Sequence, residues 1–156
     1  MPIDDARFRQ AMGHFASGVT VVTTAVSGEL YGMTVSSFAS LSLKPPLVLI
    51  CIDKTVPTHD MIKHAGCFVV NILEERQEHL SRRFATTTND KFKGVAWHNG
   101  QLELPVLDNT LAAIECRLRE TLDGGDHTIF VGAVMDAEIR EGAPLLYYRG
   151  GYHELK

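Results

Sequence analysis

The sequence predicts a mainly β fold, an antiparallel barrel that is closed or partly closed and carries a few short helices. Strand-like runs follow one another along most of the chain. The helical segments do not alternate with them regularly, which argues against a doubly wound sheet. The chain has 156 residues, of which 45% are hydrophobic. That is enough for one core, so we expect a single domain over residues 1–156.

The first predicted element is a helix over residues 4–16. Phe8, Met12 and Phe15 recur at intervals of four and three residues, which gives one apolar stripe. An aspartate at position 4 or 5 is expected to cap the start of the helix, and Gly18 to mark its end.

Three strands are predicted next. Residues 19–26 and 30–41 flank a turn at 27–29 and are predicted to pair as a hairpin. Residues 47–52 follow two prolines and are apolar throughout, which is typical of a strand buried on both faces.

The middle of the chain mixes helices and strands. Residues 58–65 are predicted to form a short helix capped by Thr58. A strand is expected at residues 68–73, and then a helix at 74–85 that buries Phe84.

Three strands, at residues 113–118, 128–139 and 145–148, are expected to complete the sheet. In the first of them apolar and polar residues alternate, with Cys116 on the inward face and Glu115 on the outward face. The C-terminal half is therefore predicted to be almost entirely β.

Composition and charge exclude several functional classes. The net charge of -4 gives no electrostatic basis for binding nucleic acid. No apolar run approaches the roughly 20 residues of a membrane-spanning helix, and no signal peptide is recognisable, so we expect a cytoplasmic protein. The three cysteines lie singly in apolar runs and the seven histidines lack zinc-ligand spacing, so we expect no metal site.

Residues 32–40 are unusually rich in hydroxyl groups. Thr34, Ser36 and Ser37 fall within four positions, and hydroxyls with nearby backbone N–H groups suit a ligand that carries carbonyls, ring nitrogens or a phosphate. The alternative is a barrel strand with one solvated face.

Residues 51–59 pass from a buried strand into a helix, a junction that favours a bound phosphate. Lys54 and Thr55 would add a positive charge and a hydroxyl there. The alternative is an ordinary turn closed by a threonine cap.

Three further segments carry candidate ligand groups. Arg82 and Arg83 either bind a phosphate or belong to a solvated helix face. His127 follows two glycines and an aspartate, and it is either free to contact a ligand or an exposed turn residue. The aromatic residues of 147–153 either stack on a planar ring or close the barrel.

In this order the segments resemble the short-chain flavin reductases with an FMN-binding split barrel, the reductase components of two-component flavin monooxygenases. The most specific combination is the serine-rich stretch, the Pro-Pro strand entry and Gly-Asp-His before a strand. The resemblance spans nearly the whole chain and is carried by residues 8–12, 17–22, 32–38, 42–47, 68–73, 125–127 and 148–152.

The resemblance implies a Greek-key-like split barrel and a homodimer with the flavin at the subunit interface. FMN or FAD would be reduced by NADH or NADPH, and the reduced flavin would pass to a partner monooxygenase. NADH is the first expectation, because no arginine pair reserved for a 2′-phosphate is evident. Two alternatives stay open: a tightly held flavin that reduces a ferric chelate or a corrinoid, and a non-catalytic flavin-binding domain.

The resemblance also implies the site residues. His127 would meet the nicotinamide and position it, because hydride transfer to flavin needs no acid or base from the protein. The residues that it assigns to the flavin and its phosphate are Thr34, Val35, Ser36, Ser37, Asp53, Lys54, Thr55, Thr58, Asn71, Ser81, Arg82, Arg83, Phe84 and Tyr152.

Overall fold

In the computed structural model, which describes residues 2–156, strands predominate over three short helices. The mainly β prediction is thereby confirmed. The helices are α1 (Asp5–Met12), α2 (Pro57–Ala65) and α3 (Glu78–Phe84), with a 3-10 turn at Glu75–Gln77. The strands are β1 (Ser17–Gly18), β2 (Thr20–Val26), β3 (Glu29–Val35), β4 (Phe38–Ser42), β5 (Leu47–Asp53), β6 (Cys67–Ile72), β7 (Trp97–Asn99), β8 (Pro105–Leu107), β9 (Ala112–Gly124), β10 (His127–Ile139), β11 (Leu146–Tyr148) and β12 (Gly151–His153).

A seven-stranded antiparallel sheet, in the order β3-β2-β6-β9-β10-β5-β4, forms the body of the fold. Its edges are β3 and β4, although only Ser36 and Ser37 separate them along the chain. In a flat sheet these edges would lie about 29 Å apart, whereas the connection from Val35 to Phe38 spans at most about 11 Å. The sheet therefore curls until its edges approach each other, without a ladder between them to close it as a barrel.

This topology corrects one predicted strand and confirms a turn. Residues 30–41 are two strands, because β3 pairs with β2 whereas β4 pairs with β5. The predicted hairpin turn is present: Ser27 and Gly28 have φ values of 51° and 82°, and two positive values are the mark of a type I′ turn.

Strand β5 alternates between core and surface. Val48, Ile50 and Ile52 are buried in the main core, with Phe68 and Phe130. The residues between them on β5 are only half-buried. The prediction that residues 47–52 are buried on both faces is therefore wrong within this chain.

Two helix predictions need correction. Helix α1 begins with Asp4 as its cap, as predicted, but it ends at Met12, and its apolar stripe is exposed instead of packed on the chain. Helix α2 begins at Pro57 with Val56 at the cap position, so Thr58 is not the cap. A proline at the first helical position needs no N–H partner there, which explains the earlier start. Within residues 2–156, no helix has the length and apolar character to cross a membrane.

The sequence did not predict the small sheet of β7 and β8, and this omission explains an error at Glu115. The Glu115 side chain was expected to point into solvent, but the residue is only 1% exposed. Residues 100–104 cover it, and its carboxylate accepts hydrogen bonds from the backbone N–H groups of Gln101 and Leu102, at 3.1 and 2.9 Å. These two charge-assisted bonds offset the cost of burying the carboxylate.

Candidate functional site

The crossing from β3 to β4 lies between two clusters of the predicted site residues. Ser36 and Ser37 are exposed, and the Cys51 N–H donates to the Ser37 carbonyl at 3.0 Å. Thr34, just before the crossing, belongs to one cluster, and Asp53, two residues after Cys51 on β5, belongs to the other. The two clusters therefore flank the exposed serines.

The first cluster joins β3, α3 and β12. The Thr34 hydroxyl donates to the Ser81 carbonyl at 2.6 Å, and the Ser81 and Tyr152 hydroxyls are 2.7 Å apart. The Arg82 guanidinium lies over the Tyr152 ring, with Cζ 4.9 Å from the centroid. Its Nε donates to Glu78 at 2.7 Å, and this bond raises the pKa of Arg82. The cluster thus presents a fixed positive charge beside hydroxyl groups.

Arg83 and Phe84 have other functions. The Arg83 guanidinium donates to backbone carbonyls of residues 90, 91 and 93, so it holds the loop that follows α3. Phe84 is fully buried in a second core cluster. Of the two neighbouring arginines, only Arg82 therefore keeps its guanidinium at the surface of the cluster.

The second cluster lies where β5 ends. An Asp53 carboxylate oxygen accepts hydrogen bonds from the N–H and the hydroxyl of Thr55, at 2.8 and 2.7 Å, which lowers the pKa of Asp53. The ammonium group of Lys54 pairs with Asp123 at the end of β9. Of the three cations expected near a phosphate, Lys54 and Arg82 thus each pair with a carboxylate of this chain, whereas Arg83 binds backbone carbonyls.

His127 stands at the start of β10, directly opposite Asp53 in the β5–β10 ladder. Gly125, with φ of 81°, makes the tight turn before it. The His127 Nδ1 lies 2.8 Å from an Asp126 carboxylate oxygen, and the side chain is 40% exposed. His127 therefore lies beside the second cluster with part of its ring open to a ligand.

Besides Ser81 and Phe84, which are fully buried, three predicted site residues point into the interior. Val35 and Thr58 are each 4% exposed, and Asn71 is completely buried. The Asn71 amide donates to the Val21 carbonyl at 2.8 Å and accepts from the Leu107 N–H at 2.9 Å, so its polar atoms link β2, β6 and β8. A buried asparagine and a ligand-binding asparagine look alike in sequence, and the burial shows that Asn71 is internal.

Sequence reasoning also missed residues around the site. Beneath His127, the His59 ring links two elements: Nε2 lies 2.7 Å from the Thr128 hydroxyl and Nδ1 lies 2.8 Å from Asp60. This buried bond fastens the start of β10 to α2. The other missed residues are Glu78 and Asp123; the four-residue spacing of Glu78 and Arg82 on a helix was a readable signal, whereas the Asp123 contact depends on the fold.

The chemistry available at the two clusters is that of binding and orientation. It comprises hydroxyls, two cations and a partly exposed imidazole, groups that suit an anionic ligand with a hydroxylated chain. No group of His, Cys, Asp and Glu residues suited to a metal ion occurs in residues 2–156.

Comparison with known proteins gives consistent matches. Residues 12–156 match the family model described as flavin reductase like domain. The chain is 47% identical over 151 residues to the reductase component of a 4-nitrophenol 4-monooxygenase/4-nitrocatechol 2-monooxygenase of Rhodococcus opacus, covering 97% of this chain and 81% of that protein.

Two solved structures are also similar. Nitrilotriacetate monooxygenase component B from Mycobacterium thermoresistibile superimposes with a TM-score of 0.95 at 42% identity, over 98% of this chain and 87% of that one. The NADH:FAD oxidoreductase SgcE6 of Streptomyces globisporus, in complex with NAD and FAD fragments, superimposes with a TM-score of 0.93 at 39% identity, over 98% and 93% of the chains.

Proposed function

Since the chain belongs to the flavin reductase like domain family, we propose that it is a flavin reductase that transfers hydride from NADH to FMN or FAD. We further propose that the reduced flavin is supplied to a partner monooxygenase, because the Rhodococcus opacus relative is named as the reductase component of a monooxygenase. The observation that carries the proposal is that two polar clusters, each with one cation, are attached to β3 and β5 next to the exposed crossing between β3 and β4.

The groups present fit a flavin mononucleotide. We propose that Lys54 and Arg82 provide positive charge for the phosphate and that the exposed Thr55 hydroxyl lies beside Lys54. The Ser81 hydroxyl is buried against Tyr152 and supports the first cluster from inside. We propose that Thr34, Ser36 and Ser37, with the backbone at Val35, line the ring and the ribityl chain. Asp53 and Tyr152 support the two clusters.

Bound flavin supplies a ring that accepts hydride, and the residues of the chain hold the two reactants in line. Backbone N–H groups at Ser36 and Ser37 would stabilise negative charge on the reduced ring. His127 would orient the nicotinamide from the start of β10. Thr58, Asn71, Ser81 and Phe84 are left out of direct contact with the flavin because they are buried, and Arg83 is left out because its guanidinium binds the loop after α3.

We also propose a homodimer. Phe8, Met12 and Phe15 are 53%, 54% and 76% exposed, and Leu43 is 79% exposed, so these large apolar side chains lack cover within the chain. Light scattering after gel filtration should give about twice the 17.2 kDa chain mass; a monomer that binds FMN with full affinity would contradict the proposal. Because the reaction consumes NADH, we propose the cytoplasm as its location.

Activity is tested by following NADH oxidation at 340 nm with FMN, with FAD, with riboflavin and with no addition. We expect oxidation only when flavin is added, and a higher KM for riboflavin because it lacks the phosphate. NADPH in place of NADH measures the nucleotide preference. If no flavin stimulates the oxidation of either nucleotide, the proposed function is wrong.

A further inference from the structure

Both cations of the proposed phosphate site are paired with carboxylates of the same chain. Arg82 Nε donates to Glu78 at 2.7 Å within α3, and the Lys54 ammonium pairs with Asp123 across the fold. All four side chains are substantially exposed, with values of 66% for Arg82, 44% for Glu78, 40% for Lys54 and 80% for Asp123. Neither carboxylate is needed to offset a buried charge.

The two ion pairs differ from the contact of the buried Glu115 in the groups that the carboxylates bind. The buried Glu115 carboxylate fixes backbone N–H groups of a covering loop. Glu78 and Asp123 instead occupy the side chains that a phosphate would use, and the Arg82 guanidinium is already positioned by the Tyr152 ring. Arg82 therefore does not depend on Glu78 alone for its placement.

We propose that Glu78 and Asp123 are internal competitors of the flavin phosphate, which lower the affinity for phosphorylated flavins. A phosphate that reaches Arg82 or Lys54 must displace the carboxylate already bound there, or share the cation with it. Weak exposed ion pairs of this kind reduce affinity modestly and do not block binding. The inference rests on the proposed function: a reductase whose product must leave for another enzyme benefits from a flavin that is not held too tightly.

The test compares Glu78→Gln with Glu75→Gln, one turn earlier. Glu75 and Glu78 both line a cleft of about 460 Å³ beside Tyr152, so both variants remove one charge there, but only Glu78 contacts Arg82. We expect Glu78→Gln to lower the Kd for FMN by roughly two- to fivefold and Glu75→Gln to change it less. Riboflavin, which has no phosphate, should bind both variants as it binds the wild type.

Two further variants separate a local contact from a general effect of charge. Adding Glu78→Gln to Arg82→Gln should give little or no gain in FMN affinity, because the competed guanidinium is absent. Asp123→Asn should tighten FMN through Lys54, whereas Glu120→Gln, an exposed carboxylate on the same strand, should do so less. Titration of intrinsic or flavin fluorescence measures each Kd.

Equal tightening of FMN and riboflavin, or an unchanged Kd for FMN in Glu78→Gln, would overturn the inference while leaving the reductase function intact. If the wild type shows no flavin-dependent NADH oxidation at all, the proposed function is wrong, and the inference fails with it.

Discussion

The hydroxyl groups of Ser81 and Tyr152 lie 2.7 Å apart, although the two residues are 71 positions apart in the chain. This contact brings the C-terminal strand to the face of α3 that carries Arg82. Because the Arg82 guanidinium stacks on the same tyrosine ring, Tyr152 positions both polar groups of the first cluster.

Replacing Tyr152 should therefore weaken FMN binding in two steps. Tyr152→Phe keeps the ring under Arg82 and loses only the hydrogen bond, so we expect a cost of about 1 kcal/mol or less. Tyr152→Ala also removes the cation–π contact and should cost about 1 kcal/mol more. Fluorescence titration with FMN gives both values. Equal losses in the two variants would show that the ring does not position Arg82.

The sequence was sufficient to identify the segments of this cluster but not to separate their members. Arg82 and Arg83 are adjacent, and successive residues on a helix point about 100° apart, so one guanidinium faces Tyr152 and the other clamps the following loop. Only the position of α3 in the fold decides which is which. The hairpin at Ser27 and Gly28 was predictable because its turn is local.

The break at Ser36 and Ser37 was not predictable, for a related reason. Residues 30–41 have the composition of one continuous strand. They form two strands because β4 pairs with β5, at the side of the sheet opposite to β3. Glu115 shows the same effect. The alternation of the strand predicted an exposed side chain, but a loop from another part of the chain covers it. Pairings between distant segments decided both outcomes.

Lys54→Ala should weaken FMN binding by about 1 kcal/mol. A charge-assisted contact with the phosphate would contribute more, but in the wild type Lys54 must first leave its ion pair with Asp123. Riboflavin binding should barely change, because riboflavin carries no phosphate. The Kd values for both flavins decide the matter, and equal losses for the two would place Lys54 away from the phosphate.

Asn71 should affect stability and not binding. Asn71→Ala would leave the Leu107 N–H and the Val21 carbonyl without their partner in the core, so we expect the free energy of unfolding to fall by about 2 kcal/mol or more. Urea denaturation measures this loss, with the exposed Asn89→Ala as control. An Asn71→Ala protein of normal stability with a much weaker affinity for FMN would return Asn71 to the ligand site.

His98 should make a small contribution to stability that depends on pH. Its ring lies between Asp108 (2.7 Å from Nδ1) and Glu138 (2.9 Å from Nε2), and hydrogen bonds to these carboxylates, Asp108 first, raise the pKa of His98. Stability from a raised pKa is fully present below the unfolded value of about 6.5 and is lost as the pH rises through the folded value.

The free energy of unfolding should therefore differ between wild type and His98→Gln more at pH 6 than at pH 9. The side chain is 45% exposed, so the difference should be below about 1 kcal/mol. Thermal or urea unfolding at the two pH values measures it, with exposed His79→Gln as control. A difference that is the same at both pH values would mean that His98 acts by packing alone.

His127 should act on the nicotinamide and not on the flavin. His127 pairs with Asp53 at the start of β10, its side chain is 40% exposed, and its Nδ1 lies 2.8 Å from an Asp126 carboxylate oxygen. If the ring only completes the turn, His127→Ala should change stability by less than about 0.5 kcal/mol and leave the kinetics alone. We expect instead that kcat/KM for NADH falls roughly ten- to a hundredfold, about 1.4–2.7 kcal/mol, while the Kd for FMN stays nearly constant.

His64→Ala, which replaces an exposed histidine on α2, is the matched control. Stopped-flow reduction of bound flavin at several NADH concentrations separates weaker nucleotide binding from slower hydride transfer. A reduction rate and an NADH dependence that match those of the wild type would leave His127 as a turn residue.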